Sequence, residues 1–209
     1  MIEIVSVEPR SKGKYRVTFD NGITCLMYRS EMHCYAIREG AQIAEADFKR
    51  LLTETLGKRA KKRAMHLLEQ MDRTEKQLRE KLLLNEYPEE CVEAAISYVK
   101  QFHYLDDYRY ACTYIRYHGE KMSRRMLEQK LLQKGVSRTL IAAALEEEYA
   151  GEEQTMILEI LQKKHYDPEH CEDKEYRRIY QYLMRRGFRG SEIQKAMKCE
   201  KCTIYSGDY

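Results

Sequence analysis

The sequence contains little proline and glycine, with 3 Pro and 10 Gly among its 209 residues. Turn-rich β-sandwiches and low-complexity disordered chains are usually rich in these residues, so both classes are disfavoured. The chain instead combines 43% hydrophobic with 34% charged residues. Such a mixture is typical of amphipathic helices, which place apolar residues on one face and charged residues on the other. The composition therefore predicts a mainly α-helical protein.

The sequence also lacks the short motifs that mark common active sites. It has no Gly-x-x-x-x-Gly-Lys phosphate loop, no His-Glu-x-x-His zinc motif and no nucleophile with an identifiable base nearby. We therefore expect a protein that is not an enzyme and that needs no cofactor.

Features of secreted and membrane proteins are missing as well. Met1 is followed by Ile2 and Glu3 rather than by a basic start and an apolar core, and no apolar stretch approaches membrane-spanning length. The 7 cysteines are odd in number and scattered along the chain, which fits a reducing compartment. We expect a cytoplasmic protein that does not contact a membrane.

An excess of one charge is absent too, since 37 basic and 34 acidic residues leave a net charge of +3. The chain is thus not a uniformly basic protein that coats nucleic acid by charge alone. The basic residues recur in three clusters, however: Lys58, Arg59, Lys61, Lys62 and Arg63; Arg124 and Arg125; and Arg185, Arg186 and Arg189. One cluster alone is explained equally well as a solvated helix face. Their recurrence favours contact with phosphates or with an acidic protein surface, and these ten residues are the predicted binding site.

The first 28 residues differ from the rest because apolar and polar residues alternate in three short runs. These runs, at 2–7, 15–19 and 23–27, predict strands of a small antiparallel sheet. Asp20-Asn21-Gly22 supplies residues that tolerate positive φ, as a tight hairpin requires. Two short helices are then predicted, one with Met32, Tyr35 and Ala36 and one with Ala44, Phe48, Leu51 and Leu52, separated near Gly40. Residues 1–54 form the predicted N-terminal module, which either leans on later helices or moves on a flexible connection.

After this module, one pattern of apolar residues occurs three times at nearly constant spacing. The three copies are Leu78, Leu82, Tyr87, Val92 and Ile96; Leu127, Leu131, Val136, Ile141 and Leu145; and Ile179, Leu183, Phe188, Ile193 and Met197. Each copy predicts two helices joined by a short turn, and a further helix precedes each pair, at 61–71, 107–117 and 154–164. The sequence therefore predicts three tandem three-helix repeats.

The turns and helix starts of these repeats are chemically marked. Lys134-Gly135-Val136 and Arg186-Gly187-Phe188 place a cation in the last helical turn and then a glycine suited to the left-handed conformation. The first copy has Asn85-Glu86-Tyr87 instead, where Asn85 is able to adopt that conformation. Predicted N-caps are Thr74, which forms a capping box with Gln77, and Ser123 and Ser137.

The predicted fold is thus mainly α, with three-helix-bundle repeats in an elongated array behind a small antiparallel sheet-and-helix module. The predicted repeats span 55–104, 105–150 and 151–200, and 201–209 form a flexible tail. An array with recurrent basic faces suits a long, repetitive, anionic target that is contacted at several points. We expect the protein to act as a monomer.

Several motifs after residue 55 resemble the RecX family of recombination regulators. They are Arg63-Ala64 with Leu67-Leu68; Arg73-Thr74-Glu75 with Leu78 and Leu82; Tyr104-Leu105-Asp106-Asp107 with Arg109-Tyr110-Ala111; Leu131 with Lys134-Gly135-Val136; and Tyr182-Leu183 with Arg185-Arg186-Gly187-Phe188. Their order and spacing carry the resemblance, which covers about residues 55 to 198, whereas any one motif alone is weak. Ser123 departs from the family pattern, which commonly has glycine there.

The resemblance implies tandem three-helix repeats and a role as a negative regulator of the RecA recombinase. It implies binding to the RecA–DNA filament, in its groove or at its growing end, with inhibition of ATP hydrolysis, strand exchange or extension. It also implies a place in homologous recombination, DNA repair and the SOS response. Single- or double-stranded DNA is expected to bind weakly without RecA. The alternative is a helical DNA-binding protein that acts independently of RecA, as the basic clusters suggest.

Three other groups of residues have competing interpretations. Asp106 and Asp107 could be a carboxylate pair, but their position favours capping of a helix. Tyr104, Tyr108, Tyr110, Tyr114 and Tyr117 could stack on bases, but Tyr110, Tyr114 and Tyr117 share one helical face, which favours core packing. Cys199 and Cys202, with His165, His170 and Cys171 upstream, have a spacing compatible with zinc, although a second paired motif is missing.

Overall fold

The computed structural model describes residues 1–197 and divides the chain into two compact units. Unit 1 comprises Met1–Asp107, and unit 2 begins at Tyr108. The described chain is mainly helical with one small N-terminal sheet, which confirms the predicted fold class. Within residues 1–197, no helix combines the length and the apolar character needed to cross a membrane.

The sheet of unit 1 contains the three predicted strands and a fourth, short one. Strands β1 (Ile2–Ser11), β2 (Lys14–Phe19) and β3 (Thr24–Tyr28) form an antiparallel meander, and β4 (Gln42–Ile43) pairs with β1, giving the order β3-β2-β1-β4. The β2–β3 hairpin was predicted correctly, because Gly22 takes a φ of 81° and the Asn21 side chain accepts a hydrogen bond from Ile23 N–H at 3.1 Å. Strand β4 was missed because two residues carry no readable alternation.

The predicted short helices are present, but the second one does not end where the pattern suggested. Helix α1 spans Arg29–Cys34 and α2 spans Glu45–Arg50. From α2 the chain continues through a π-helical segment, Leu51–Gly57, directly into α3, Lys58–Gln70. The helix therefore passes the predicted domain boundary at residues 54 and 55 without interruption. The division of the chain into the predicted domains stays a prediction.

One hydrophobic core joins the sheet to the helices of the first repeat. Buried side chains of the sheet, such as Ile4 and Val17, belong to the same cluster as Leu56 and Ala60 of the long helix and Leu78 of the repeat. Phe19 of β2 meets Phe48 of α2 edge to face, with ring centroids 4.9 Å apart. Of the two arrangements left open by the sequence, the N-terminal module takes the packed one.

The first repeat is completed by α4 (Glu75–Leu84) and α5 (Glu89–Gln101), and the turn between them differs from the expectation. Glu86 adopts the left-handed conformation with a φ of 59°, whereas Asn85 has a φ of −86°. The Glu86 carboxylate accepts two hydrogen bonds from the Arg16 guanidinium, each 2.7 Å long, and its carbonyl accepts one from Leu26 N–H. These contacts with the sheet offset the conformational cost that a non-glycine residue meets there.

The second and third repeats form unit 2, except that Asp107, the first residue of α6, belongs to unit 1. Their helices are α6 (Asp107–His118), α7 (Arg124–Gln133), α8 (Arg138–Glu148), α9 (Glu153–Lys163), α10 (Asp173–Arg185) and α11 (Gly190–Met197). The apolar positions predicted for the second and third copies are all buried, in two clusters. Gly135 and Gly187 take φ values of 91° and 86°, as the turn chemistry predicted.

The predicted helix caps are also present. The Thr74 hydroxyl accepts from Gln77 N–H at 3.3 Å while the Gln77 side chain accepts from Thr74 N–H at 3.2 Å, a complete capping box. The Ser123 hydroxyl accepts from Met126 N–H at 3.2 Å, and that of Ser137 accepts from Leu140 N–H at 3.4 Å. Ser123, which departs from the family pattern, therefore has a defined structural role at the start of α7.

Candidate nucleic-acid and protein interface

The turn of the third repeat packs directly on the start of α7 in the second repeat. Ser123 N–H donates to the Arg186 carbonyl at 3.1 Å, and the Arg186 guanidinium donates to the Lys121 carbonyl at 2.5 Å. Next to them, a Cβ placed on Gly187 would lie 2.5 Å from Ser123 Oγ and 2.7 Å from Met126 Cβ. Only glycine fits this approach, and it brings the second and third basic clusters to the same part of unit 2.

Between the two repeats lies an open groove of about 820 Å³. Its charged lining residues are Arg124, Arg125 and Arg189 together with Glu128, Glu152, Glu153 and Glu192. We call this the mixed-charge groove. Three of the ten predicted binding residues thus line one depression, although more than sixty positions of sequence separate Arg124 from Arg189.

One acidic residue of the groove, Glu153, caps the start of α7. Glu153 Oε1 accepts from the backbone N–H of Arg124 at 3.0 Å, where a carboxylate is favoured by the positive end of the α7 dipole. The lining mixes arginines with glutamates and is not uniformly basic. A phosphate backbone would meet repulsion from these glutamates, whereas a protein surface carrying both charges would find partners for each.

The remaining residues of the third cluster lie beside the groove rather than in its lining. Arg185 is exposed at the last turn of α10. Arg186 is half-buried, and besides its bond to Lys121 its guanidinium lies 4.7 Å from the centre of the Tyr182 ring. Arg186 therefore holds the two repeats together, whereas Arg185 is exposed to solvent.

The first basic cluster, in unit 1, separates into residues engaged within the fold and residues that face solvent. The Arg59 guanidinium bonds both oxygens of Glu31 at 2.6 Å and also donates to the Leu26 carbonyl, while Arg63 Nε donates to Asn85 Oδ1 at 3.1 Å. Arg59 therefore links α3 to the sheet and α1, while Arg63 links α3 to the turn between α4 and α5. Lys58 and Lys62 are exposed. Lys61 is half-buried, with Nζ 5.3 Å from the centre of the Tyr98 ring.

The Asp106-Asp107 pair serves capping, as predicted, but across two helices. Asp107 begins α6, and its carboxylate accepts from the backbone N–H of Glu75 at 2.8 Å, which caps the start of α4. Burial raises the pKa of this carboxyl. The capping preference was readable from the sequence, while the identity of the capped helix depends on tertiary packing.

The tyrosines of α6 follow the core-packing prediction only in part. Tyr110 and Tyr114 pack against the core of the second repeat, with nearly parallel rings whose centroids are 6.3 Å apart. Tyr117 is 75% exposed, so its predicted place in the core was wrong. His118 continues the row instead, with its ring centroid 4.3 Å from that of Tyr114. Tyr117 lies in the last turn of α6, with its ring edge-on to His118.

One group of possible metal ligands lies in unit 2, within the described part of the chain. Cys112, Glu147 and Glu148 place ligand atoms within 4.8 Å of one another. Tyr108 donates to Glu147, Arg116 pairs with Glu148, and burial raises the pKa of the Cys112 thiol. A protonated thiol beside two engaged carboxylates is a poor ligand set for zinc. Cys199 and Cys202 lie outside the described residues, and upstream His170 contacts Asp167 at 2.8 Å.

Comparison with protein families finds the same three units that the repeat pattern predicts. Three models match: the first three-helix domain of RecX at residues 60–98, the second at 106–145 and the third at 152–197. Two solved structures share the fold. One, titled "Crystal structure of regulatory protein RecX", has a TM-score of 0.56 and 23% identity over 95% of this chain and 99% of its own. The RecX structure from Lactobacillus salivarius has a TM-score of 0.53 and 18% identity over 68% of this chain and 95% of its own.

Curated relatives extend this likeness along almost the whole sequence. Regulatory protein RecX of Caldanaerobacter subterraneus is 30% identical over 196 residues, which cover 91% of this chain and 95% of the relative. Regulatory protein RecX of Clostridioides difficile is 25% identical over 201 residues, covering 94% of each. With three matching domains in the predicted order and full-length relatives, the chain belongs to the RecX family of regulatory proteins.

Proposed function

We propose that this chain is a negative regulator of the RecA recombinase that binds the RecA–DNA filament and inhibits its ATP hydrolysis, strand exchange or extension. Membership of a family of regulatory proteins named RecX supports this role. The proposal includes no catalysis by the chain itself, and it assigns the protein to homologous recombination, DNA repair and the SOS response in the cytoplasm.

The mixed-charge groove is the observation that carries the proposal. Arg125 of the second repeat and Arg189 of the third are exposed, and Glu128 and Glu192 line the same groove. A protein filament presents the same surface at every protomer, so a groove that matches one protomer has many equivalent sites. Binding that favours one conformation of the RecA protomer would shift the filament toward that conformation and slow turnover.

The direct experiment measures RecA-dependent ATP hydrolysis on single-stranded DNA while the protein is added. The wild-type chain should lower the rate at protein concentrations stoichiometric with RecA. The double variant Arg125→Glu/Arg189→Glu should lose most of this inhibition, because it makes the groove strongly acidic. The matched control, Arg138→Glu/Arg178→Glu, reverses two exposed arginines of unit 2 that do not line the groove and should still inhibit.

Two results would contradict the proposal. An unchanged hydrolysis rate with the wild-type protein would remove RecA as the partner. Equal loss of inhibition in the groove variant and the control would show that total charge matters and the groove does not.

The alternative, a DNA-binding protein that acts without RecA, is favoured by the exposed Lys58 and Lys62. It predicts binding to bare DNA with a steep salt dependence, a loss of about 10³ or more in affinity between 50 and 200 mM salt if 6 or more phosphates are contacted. Anisotropy of labelled DNA across that salt range distinguishes the two: strong, salt-dependent binding combined with an unaffected RecA would favour the alternative.

A further inference from the structure

Unit 1 exposes a cluster of aromatic rings where α5 ends. The ring centroids of Tyr98 and Phe102 are 4.9 Å apart, and those of Phe102 and Tyr104 are 6.4 Å apart. Tyr98 packs partly on the core, while Phe102 is 51% and Tyr104 48% exposed. We call these three residues the aromatic platform. Neighbouring aromatic rings that remain this exposed mark a binding surface more often than isolated apolar residues do.

The backbone holds these rings in a defined position. Tyr104 N–H donates to the Val99 carbonyl and His103 N–H to that of Lys100, both at 2.9 Å, and His103 takes a left-handed φ of 56°. This pair of hydrogen bonds is the Schellman motif that ends many helices. Leu105, the next residue, is buried with 4% exposure. The exposed rings therefore stand on an anchored turn rather than on a loose loop.

Positive charge flanks the platform on one side. Lys61 lies with Nζ 5.3 Å from the centre of the Tyr98 ring. Lys58 lies beside both Lys61 and Lys62 on the surface of α3, because residues three and four apart on a helix are neighbours. Lys58 and Lys62 are exposed. Lys100, closer in sequence, is already paired with Glu75.

We propose that the aromatic platform and these lysines bind single-stranded DNA, with bases stacked on Phe102 and Tyr104 and phosphates near Lys58, Lys61 and Lys62. Stacking on exposed rings requires bases that are not already stacked in a duplex, which selects the single strand. Nearby lysines supply the complement to the phosphate charge. The choice of DNA over RNA rests on the proposed function, whereas the stacking itself does not.

The mixed-charge groove of unit 2 does not compete for this assignment. Its arginines share the lining with glutamates, whereas Lys61 beside the platform has the Tyr98 ring as its neighbour. The two surfaces therefore suit different partners: the groove suits a protein with both charges, and the platform suits a flexible polyanion with planar bases.

The test is fluorescence anisotropy of the full chain with a labelled oligothymidylate, with an abasic strand of the same length and with an oligouridylate. The wild-type protein should bind oligothymidylate more tightly than the abasic strand. Phe102→Ala/Tyr104→Ala should weaken oligothymidylate binding about tenfold and leave abasic binding unchanged, because only stacking is removed. Lys58→Glu/Lys62→Glu should weaken binding to both strands.

Two further variants serve as controls for the loss of the aromatic rings. Leu84→Ala truncates another exposed apolar side chain of unit 1, 73% exposed, and should bind like the wild type. Phe102→Trp keeps an aromatic ring and should keep the affinity, with indole fluorescence quenched by oligothymidylate; the natural chain has no tryptophan to interfere.

The proposal is overturned if the wild type binds the abasic strand as tightly as oligothymidylate, or if Phe102→Ala/Tyr104→Ala leaves binding unchanged. Tighter binding of oligouridylate than of oligothymidylate would overturn the assignment to DNA. The experiment contains no RecA, so its failure leaves the groove proposal intact, and a failure of RecA inhibition leaves this result intact.

Discussion

Replacing Gly187 by alanine tests whether the close approach of two repeats builds the mixed-charge groove. Gly187 has a φ of 86°, and an added Cβ would lie 2.5 Å from Ser123 Oγ and 2.7 Å from Met126 Cβ. Real Cβ atoms do not approach other atoms so closely, so the turn must move away from α7. Such a movement would separate Arg189 from Arg124 and Arg125.

The expected cost has two parts. A non-glycine residue in the left-handed conformation costs about 1 to 2 kcal/mol, and forcing a methyl group into a packed site costs about 1 to 3 kcal/mol more. Gly187→Ala should therefore destabilise unit 2 by about 2 to 5 kcal/mol. Gly135 provides the matched control in the second repeat, since its φ is 91° and it is exposed. Gly135→Ala should cost only the conformational part, about 1 to 2 kcal/mol.

Urea unfolding followed by circular dichroism, with hydrogen exchange to locate the loss in unit 2, measures both free energies. RecA-dependent ATP hydrolysis with folded protein then shows whether the groove still functions. Gly187→Ala should lose more inhibition than Gly135→Ala at concentrations where both remain folded. Equal destabilisation by the two substitutions would refute the steric argument, and full inhibition by a destabilised Gly187→Ala would refute the link between this turn and the groove.

Three further predictions concern unit 1. Hydrogen bonds from Arg16 lower the pKa of Glu86 below the ordinary carboxyl value of 4.5. The pair therefore stabilises the fold at pH values above 4.5, and this stabilisation is lost as the pH falls through the lower pKa of the folded state. The melting temperatures of wild type and Glu86→Gln should therefore differ at pH 7 and converge below pH 4.5; a difference independent of pH would contradict this. Thr74→Ala removes a fully buried capping hydroxyl and should cost about 1 to 2 kcal/mol in urea unfolding, and no measurable loss would show that the capping box is dispensable. Burial raises the pKa of Cys25 to about 12, whereas Cys34 is exposed. Cys34→Ser should therefore remove one thiol equivalent from the fast phase of Ellman labelling, and Cys25→Ser should not. The reverse result would refute the assignment of Cys25 as the buried thiol.

The repeats were predictable because their signal is periodic and redundant. Apolar positions such as Leu131 and Leu183 recur in register, and a single misplaced residue does not destroy the pattern. Local turn chemistry was predictable for the same reason, since Gly22, Gly135 and Gly187 all take the positive φ that their neighbours suggested. These features depend on residues close in sequence.

The exceptions depend on contacts between distant residues. Glu86 takes the left-handed conformation because Arg16 of the sheet holds its carboxylate, and no local rule favours glutamate there. In the candidate site, the sequence groups Arg59 with Lys58 as neighbours in one basic run. Only the fold shows that Arg59 is paired with Glu31 while Lys58 faces solvent.

The aromatic platform also depends on contacts between residues that are distant in sequence. The sequence offers Tyr104 as a possible stacking residue, but it does not connect this tyrosine with Phe102 or with Lys61. Their association requires α3 and α5 to lie side by side, which is a tertiary fact. The aromatic row 98, 102 and 104 at the end of a predicted helix was the signal that could have found it.

The π-helical segment Leu51–Gly57 has a consequence for how insertions and deletions would act on this protein. Each residue of an ordinary helix advances the chain by about 100°, and a wider turn shifts every later side chain around the axis. The Cys91 thiol donates to the Leu52 carbonyl at 3.3 Å, and a Cβ on Gly57 would lie 2.9 Å from that same oxygen. Loss of one residue here would turn Lys58 and Lys62 away from their present direction without changing either lysine. The direction in which Lys58 and Lys62 face therefore depends on the preceding segment, Leu51–Gly57, which contains no positively charged residue.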